Sequence, residues 1–410
     1  MMKKNKSECI SQNKSICFIL ETKAFGGVEA HSLRLIKSLI EYGYIIEIIV
    51  NRFKKYGEWI ESYGLQDKVT IINVDLGGIH DQKNDAKKWK ETLKAICSSI
   101  LIFPKGHNLH GSVGFLYVCR RKFKKIIFIE HLESELPEKK TSRLWLGLIP
   151  GIGFWWYKRQ FHKKARSFFA NHIIAVSNKV KDSLIKNSGY SSKKIIVVHN
   201  GVPWQNFSFS EIEKMAFCCQ FQIPPEKFIF GMLTRLNVEK RIDIAIRALS
   251  KLLKDDSIKV DISTKPFYLV VAGEGPEIGN LEELVNTLNL NDYVKFIGFI
   301  NDPKKVLSGY DVILFSSRIE GLPLALLEGM AAGCIPIVTR VSGMPEAVNS
   351  NDIGLVVSPE NPEELYMAMK HILMLDKSIL LQMRKCAVRR IQEKFDIDQS
   401  HRTIIEIIES

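Results

Sequence analysis

Short runs rich in Ile and Val alternate with amphipathic helical stretches along this chain, and that order restricts it to a narrow set of folds. SICFIL (15–20) leads to GVEAHSLRLIKSLIEYG (27–43), in which apolar residues recur at helical spacing. YIIEIIV (44–50), VTIINV (69–74), IIFIEHL (126–132), HIIAVS (172–177) and KIIVVHNGV (194–202) read as further strands. Their apolar residues occupy both faces, as in parallel strands covered by helices on both sides. A repeated strand–helix order predicts an α/β fold of doubly wound parallel sheets rather than a single barrel.

The alternation breaks once. Residues 203–227 carry three prolines and weak periodicity, which places a linker there. It restarts with FIFGMLT (228–234), KRIDIAIRALSKLLK (240–254), FYLVVAGEG (267–275), NLEELVNTLNL (280–290), YVKFIGF (293–299), DVILFSS (311–317), LPLALLEGMAAG (322–333) and IPIVT (335–339). Two helices near 362–375 and 378–395 follow. At roughly 150 residues per domain, 410 residues allow two or three domains. The single break selects two, 1–204 and 205–395. A composition 46% hydrophobic and 25% charged excludes disordered and small disulfide-stapled classes.

The basic start MMKKNKSECISQNK is no secretory signal, because the apolar SICFIL behind it meets Glu21 without a small-residue cleavage site. The longest charge-free apolar run, 144–157, is shorter than the roughly 20 residues that span a bilayer. The expectation is a cytoplasmic protein, soluble or peripheral at the inner face of the membrane. The eight cysteines form no C-x-x-C pair, so buried thiols in a reducing compartment are expected.

Ligands of doubly wound sheets sit beyond the carboxyl ends of the strands. In SSRIEGLPLALLEGMAAGCIPIVT (316–339), Glu320 follows a strand and Glu328 falls nearly two turns into the next helix. Gly321, Leu322 and Pro323 start that helix, where free N–H groups suit an anion. The two carboxylates could grip two hydroxyl-bearing parts of one ligand. The alternative is that each glutamate merely caps or solvates a helix. In GMLTRLNVEKRID (231–243), Arg235 and Lys240 at one strand end would suit a diphosphate, against the alternative of two solvated cations. In VAGEGPE (271–277), Gly273 and Gly275 flank Glu274, permitting a tight turn and close approach of a ligand. In the first half, Gly26 and Gly27 precede a helix start where amides can meet a phosphate. His131 ends a strand and is aimed at the same rim, with His107 and His110 as further candidates.

Taken together and in this order, GGVE, the strand-end His131, VSNKVKDSLI, HNGV, TRLNVEK, GEGP and the Glu320…Glu328 stretch resemble the retaining family-4 glycosyltransferases, also called glycosyl transferases group 1. The resemblance runs over nearly the whole chain, and the chain is similar to bacterial surface-polysaccharide enzymes. It implies the GT-B fold, two facing Rossmann-like domains with a central cleft. The N-terminal domain would take the acceptor and the C-terminal domain the nucleotide-sugar donor, with the helix at 396–410 packing back on the first. It implies a hexosyltransferase-type enzyme that uses a UDP- or GDP-sugar and needs no cofactor. Arg235 and Lys240 would neutralise the diphosphate, Glu320 would sit by the transferred sugar, and Glu328 would hold the ribose hydroxyls. Gly27, Glu274, Gly275, and the amides of Gly321 and Leu322 would line the donor site, and His131 would contact the sugar. Thr234 stands where the family often has glycine, which alters the local turn and leaves Arg235 in place. No Asp-x-Asp metal motif lies in a suitable loop, so no metal is expected.

Lys and Arg exceed Asp and Glu by 13, which predicts attraction to something anionic. Nine of those surplus charges fall between Cys119 and Ser167. Trp145, Trp155, Trp156, Lys158, Arg159, Lys163 and Lys164 lie there, the pattern of an anionic membrane interface and a lipid-linked acceptor. A packed helix with solvated lysines is the alternative. Nucleic acid is disfavoured, since no recognition helix, zinc pattern or stacking strand accompanies the charge. The expected function is sugar transfer, with retention, to a lipid-linked oligosaccharide in surface-polysaccharide assembly. Competing readings are a nucleotide-sugar epimerase, which would need no acceptor, a phosphorylase, which would carry pyridoxal phosphate, and a non-catalytic membrane-binding protein of this fold.

Overall fold

The structure, a computed structural model, describes residues 14–20, 26–51, 55–74, 86–106, 113–134, 154–257 and 267–410. The chain divides into two compact units, one comprising residues up to Val198 together with His401–Ser410, the other His199–Ser400.

The first unit carries strands β1 (Ser15–Leu20), β2 (Ile45–Asn51), β3 (Val69–Val74), β4 (Ile100–Lys105), β5 (Lys125–Glu130), β6 (His172–Ala175) and β7 (Ile195–Val197). Its helices are α1 (Gly27–Glu41), α2 (Lys55–Ser62), α3 (Ala86–Lys94), α4 (Val113–Lys122), α5 (Phe154–Phe169) and α6 (Asn178–Ser188). The sheet order is β3-β2-β1-β4-β5-β6-β7, and every pairing is parallel. The chain winds outward from β1 through β3, then crosses to β4 and winds the other way. β1 is buried at every position, as a central strand covered on both faces must be. The edge strand β3 is largely open instead, and Ile71 is exposed.

Sequence reading assigns no strand to ILIFPK, yet β4 lies at the centre of this sheet. Its Pro104 argues against a central strand, because proline donates no ladder hydrogen bond. Register resolves the conflict. β1 pairs with β4 only at Ile100, Leu101 and Ile102. Pro104, paired with Ile129 of β5 alone, sits beyond that stretch.

The second unit repeats the plan. Its strands are β8 (Phe228–Leu233), β9 (Phe267–Ala272), β10 (Val294–Phe296), β11 (Val312–Phe315), β12 (Ile335–Thr339) and β13 (Leu355–Val357). They are ordered β10-β9-β8-β11-β12-β13, again all parallel. Helices α7 (Glu211–Gln220), α8 (Ile242–Leu253), α9 (Ile278–Thr287), α10 (Lys304–Leu307), α11 (Leu324–Ala331), α12 (Met344–Ala347), α13 (Pro362–Leu373) and α14 (Lys377–Lys394) connect and cover them. α8 buries Ile242, Ile244, Ile246, Leu249 and Leu252 into the hydrophobic core of this unit. Each such side chain contributes roughly 1.5–3 kcal/mol when fully buried. α15 (Ile397–Glu409) closes the chain, and its residues from His401 onward count with the first unit. There Lys125 Nζ donates to the Ile408 carbonyl at 2.8 Å, and Tyr44 donates to Glu409 at 3.1 Å.

Two sequence expectations need correction here. Residues 203–227 are not a linker: they hold α7, capped by Ser210 and anchored in the second unit. Phe217 of α7 packs against Tyr310, and Lys214 reaches the buried Asp311 carboxylate at 2.7 and 2.9 Å. Prolines 203, 224 and 225 flank this helix, which is why its periodicity is lost in a wider window. The division falls between Val198 and His199, before position 204, because Val202 N–H donates to the Phe395 carbonyl and Asn200 to the Leu322 carbonyl. The thiols also divide. Cys17, Cys119, Cys218 and Cys334 are buried, but Cys97 and Cys219 are exposed.

Candidate active site

In each sheet the winding direction reverses between two adjacent strands, β1 and β4 in the first and β8 and β11 in the second. The connections leaving such a pair diverge to opposite faces and leave a crevice at the carboxyl ends. In the second unit the loops after β8 and β11 carry Arg235, Lys240 and Glu320, so the topology explains why residues distant in sequence meet.

Lys240 ends a short 3₁₀ turn, Val238–Lys240, and its Nζ donates to Glu320 Oε1 at 2.5 Å. Ser317 Oγ donates to the same oxygen at 2.8 Å. Two further links clamp the loops: Ser316 Oγ donates to the carbonyls of Lys240 and Arg241 at 2.9 and 2.7 Å, and Arg318 N–H donates to the Glu239 carbonyl at 2.8 Å. Glu320 is buried, its backbone N–H donating to Ser342 Oγ at 3.1 Å and its carbonyl accepting from the Ser342 hydroxyl. The carboxylate is thus held rigidly between a cation and a hydroxyl. Sequence reading missed Ser317 and Ser342. Ser317 stands just past the carboxyl end of β11, a position that the rim rule itself flags.

Glu328 is buried within α11. Pro323 occupies the N-cap of that helix, just before its first turn. The Leu322 carbonyl accepts from Asn200 and the Gly321 carbonyl from Gly343 N–H, which fixes the helix entrance. The N–H groups of Gly321 and Leu322 make no backbone hydrogen bond among the described residues. They are donors at the positive end of a helix dipole, the arrangement that holds an anion.

The glycines of VAGEGPE admit a close approach of the chain's own backbone. Gly273 has φ +140°, and a Cβ there would lie 1.9 Å from the Thr234 carbonyl oxygen. A Cβ on Gly275 would lie 2.3 Å from the Leu236 carbonyl oxygen. Leu236 N–H donates to the Glu274 carbonyl, and Glu277 N–H to the Leu236 carbonyl. The loop after β9 is therefore laced to the loop bearing Arg235 and Lys240, backbone against backbone. Glu274 and Arg235 are both exposed beside that seam.

In the first unit, Gly27 opens α1 in an exposed position with nothing within 4 Å of an added Cβ. His131 follows β5 directly, with its N–H donating to the Lys105 carbonyl at 3.1 Å. It is buried, and its ring meets that of His31 at 4.9 Å. Burial lowers its pKa to about 4, so the imidazole is neutral near pH 7. His107, His110 and Trp145 lie outside the described residues, as do the side chains of Trp155, Trp156, Lys158 and Arg159 on α5. Lys163, expected at a membrane surface, is buried, and its Nζ donates to Ser134 Oγ at 3.2 Å. It lies on the inner side of α5, while Lys164 is exposed. Among the described residues no group of three or more His, Cys, Asp or Glu could hold a metal ion.

Two doubly wound parallel sheets, the second with a cation–carboxylate site at its switch point, define a class that comparison with known proteins identifies. The chain belongs to the glycosyltransferases: the model of Glycosyl transferases group 1 matches residues 219–387, and that of Glycosyltransferase Family 4 matches residues 25–205. The fold is GT-B in type. A glycosyltransferase from Rickettsia africae superposes with a TM-score of 0.74 at 19% identity, covering 96% of this chain and 97% of that one. The Anabaena protein Alr3699/HepE, solved with UDP and glucose, gives 0.75 at 16% identity, covering 97% and 99%. In sequence, the chain is 29% identical over 209 residues to a Campylobacter jejuni N-acetylgalactosamine-N,N'-diacetylbacillosaminyl-diphospho-undecaprenol 4-alpha-N-acetylgalactosaminyltransferase, covering 51% of this chain and 52% of the relative. It is 32% identical over 148 residues to the Escherichia coli O-antigen biosynthesis glycosyltransferase WclY, covering 36% and 38%. The chain thus spans about half the length or less of these curated relatives.

Proposed function

We propose that the protein transfers a sugar from a nucleoside-diphosphate sugar to a hydroxyl of a lipid-linked glycan acceptor, with retention, in surface-polysaccharide assembly. The observation that carries the reading is the Lys240–Glu320 pair beside the amides of Gly321 and Leu322, which make no backbone hydrogen bond among the described residues, at the switch point of the second sheet. As the bond from the sugar's anomeric carbon to phosphate breaks, its electron pair leaves with the diphosphate. Arg235, Lys240 and the helix-start amides offset that growing negative charge. Glu320 lies by the transferred sugar and Glu328 takes the ribose hydroxyls, while within the first unit His131 is the residue assigned to a sugar hydroxyl. The acceptor hydroxyl bonds to the anomeric carbon on the face the diphosphate leaves, and its proton passes to the departing phosphate oxygen. The UDP-bound HepE and the undecaprenol-linked and O-antigen relatives support this donor and acceptor class. A donor panel of UDP- and GDP-sugars read by thermal shift identifies the base, since a bound donor stabilises the folded state. Unchanged sugar transfer by Arg235→Ala or Glu320→Ala would sink the assignment.

Contact with an anionic membrane is part of the same proposal. Phe161 and Phe168 of α5 are 71% and 69% exposed, and Lys164 shares their face by spacing. On α4, Tyr117 is also exposed, with Arg121 over its ring at 5.9 Å. Exposed aromatic rings interleaved with cations suit a headgroup layer. Among the described residues no helix is long and apolar enough to cross a membrane. Cosedimentation with vesicles containing anionic lipid, and none with neutral vesicles, is the expected result. Equal failure with both removes the membrane contact and leaves the transferase assignment standing.

A further inference from the structure

The first unit holds three histidines in a row, and sugar transfer as described uses only one of them. His131 stands at the carboxyl end of β5, His31 on α1 and His401 on α15. The rings of His31 and His131 meet edge to face, 4.9 Å between centroids and 73° between planes. The His401 ring lies 6.2 Å beyond His31 at 85°. Its Nδ1 is 2.7 Å from Ser38 Oγ, two turns along α1 from His31. Helix α1 therefore touches the middle of the row through His31 and its His401 end through Ser38.

A histidine placed only to fill a core has its ring nitrogens satisfied, because a buried polar atom without a partner costs about 1–3 kcal/mol. Here His131 Nε2 and His31 Nδ1 are both buried and have no hydrogen-bond partner among the described residues. The backbone of His131 is fixed by its bond to the Lys105 carbonyl, so His31 supplies the wall for the ring alone.

We propose that His31 is a positioning residue for His131, fixing its imidazole at the sheet rim and shielding it from water while Nε2 stays available to a sugar hydroxyl. The inference rests on the proposed function for the sugar contact, but the ring geometry stands apart from it. Burial lowers both pKa values, and His131, His401 and Arg34 lower that of His31 further, so His31 and His131 are neutral at pH 7. A neutral ring can exchange a hydrogen bond with a hydroxyl without burying a charge.

The test compares His31→Ala, which opens the wall, with His31→Phe, which keeps an aromatic edge. The ring nitrogens of His131 in the full-length protein are followed by NMR across pH 4–8, and UDP affinity is measured alongside. In His31→Ala the His131 pKa is expected to rise by at least about one unit as water reaches the ring. In His31→Phe it stays near the wild-type value of about 4. Should the alanine variant not fold, His31→Val takes its place with the same expected direction. Unaltered His131 titration in the truncated variant overturns the proposal, as does an equal shift in the phenylalanine variant. UDP affinity within about twofold of wild type is expected in all, because the substitutions leave Arg235, Lys240 and Glu320 untouched. Failure of the wild-type protein to bind any nucleotide would strike the proposed function while leaving the NMR result to decide the role of His31.

Discussion

Lys240 Nζ lies 2.5 Å from Glu320 Oε1, and the two residues stand 80 positions apart in the chain. They meet because β8 and β11 are neighbours at the point where the second sheet reverses its winding. The Glu320 side chain is 6% exposed and that of Lys240 21%, so the pair is shielded on the carboxylate side and open on the cation side. A lysine so placed can turn partly toward a diphosphate without leaving the carboxylate unsolvated, because Ser317 also donates to it.

Removing the ammonium group tests that balance. Lys240→Met leaves the Glu320 carboxylate with Ser317 alone, and stability in urea unfolding should fall by about 2 kcal/mol, the worth of a hydrogen bond to a charged group. Sugar transfer should fall by about a hundredfold, as when an electrostatic contact to a leaving group is lost. Glu320→Gln should lose transfer to a similar extent with a smaller stability change.

Two glycines separate folding from binding. Gly273→Ala places a Cβ against the Thr234 carbonyl at a backbone angle that L-residues avoid, and should destabilise by about 3 kcal/mol. Its effect on donor affinity would follow from the displaced Arg235 loop. Gly27→Ala meets nothing within 4 Å, so its unfolding midpoint should stay within about 0.5 kcal/mol of wild type. Any loss of transfer in that variant then reports on a ligand contact at the start of α1 rather than on folding.

The neutral histidines give the protein an acid-sensitive element. The folded state holds His131 at about 4, against the ordinary 6.5, so between those values the unfolded chain binds more protons. Stability should therefore be fully present above pH 6.5 and decline as pH falls toward 4, by about 3 kcal/mol from this residue. His31 adds to the decline in the same direction. Denaturant unfolding from pH 4 to 7 measures it, and His131→Phe should flatten the curve.

Asp311 ties α7 to the second sheet. Its buried carboxylate accepts from Lys214, from Arg384 at 2.7 Å and from Ile229 N–H at 2.8 Å. Asp311→Ala leaves two largely buried cations without it, and should cost about 3–5 kcal/mol in equilibrium unfolding. A much smaller loss would mean that α7 is held by its apolar face alone.

Much of the site was legible as positions along the chain. Glu320, Arg235, Lys240 and His131 all follow apolar strands, and the rim rule needs nothing more to single them out. Ser342 was not legible, because it reaches Glu320 from the loop after β12, and no periodicity connects the two. Lys163 was misread for a related reason. Helical spacing orders residues around α5 but does not say which side faces the core, and a lysine amid aromatics and cations resembles a surface residue until Ser134 is seen beside it.

The sequence by itself determined that this chain forms two strand–helix alternations and which residues stand at their strand ends. Those properties depend on side-chain periodicity over about ten residues, and periodicity is local. Only the tertiary structure decided which strand ends are neighbours, that the glycines of VAGEGPE admit the chain's own backbone, and that three histidines from separate elements form one row. These depend on the reversal of winding at β1 and β4, or at β8 and β11, and on close packing of surfaces distant along the chain. No local pattern encodes that, because burial is a property of what arrives from elsewhere.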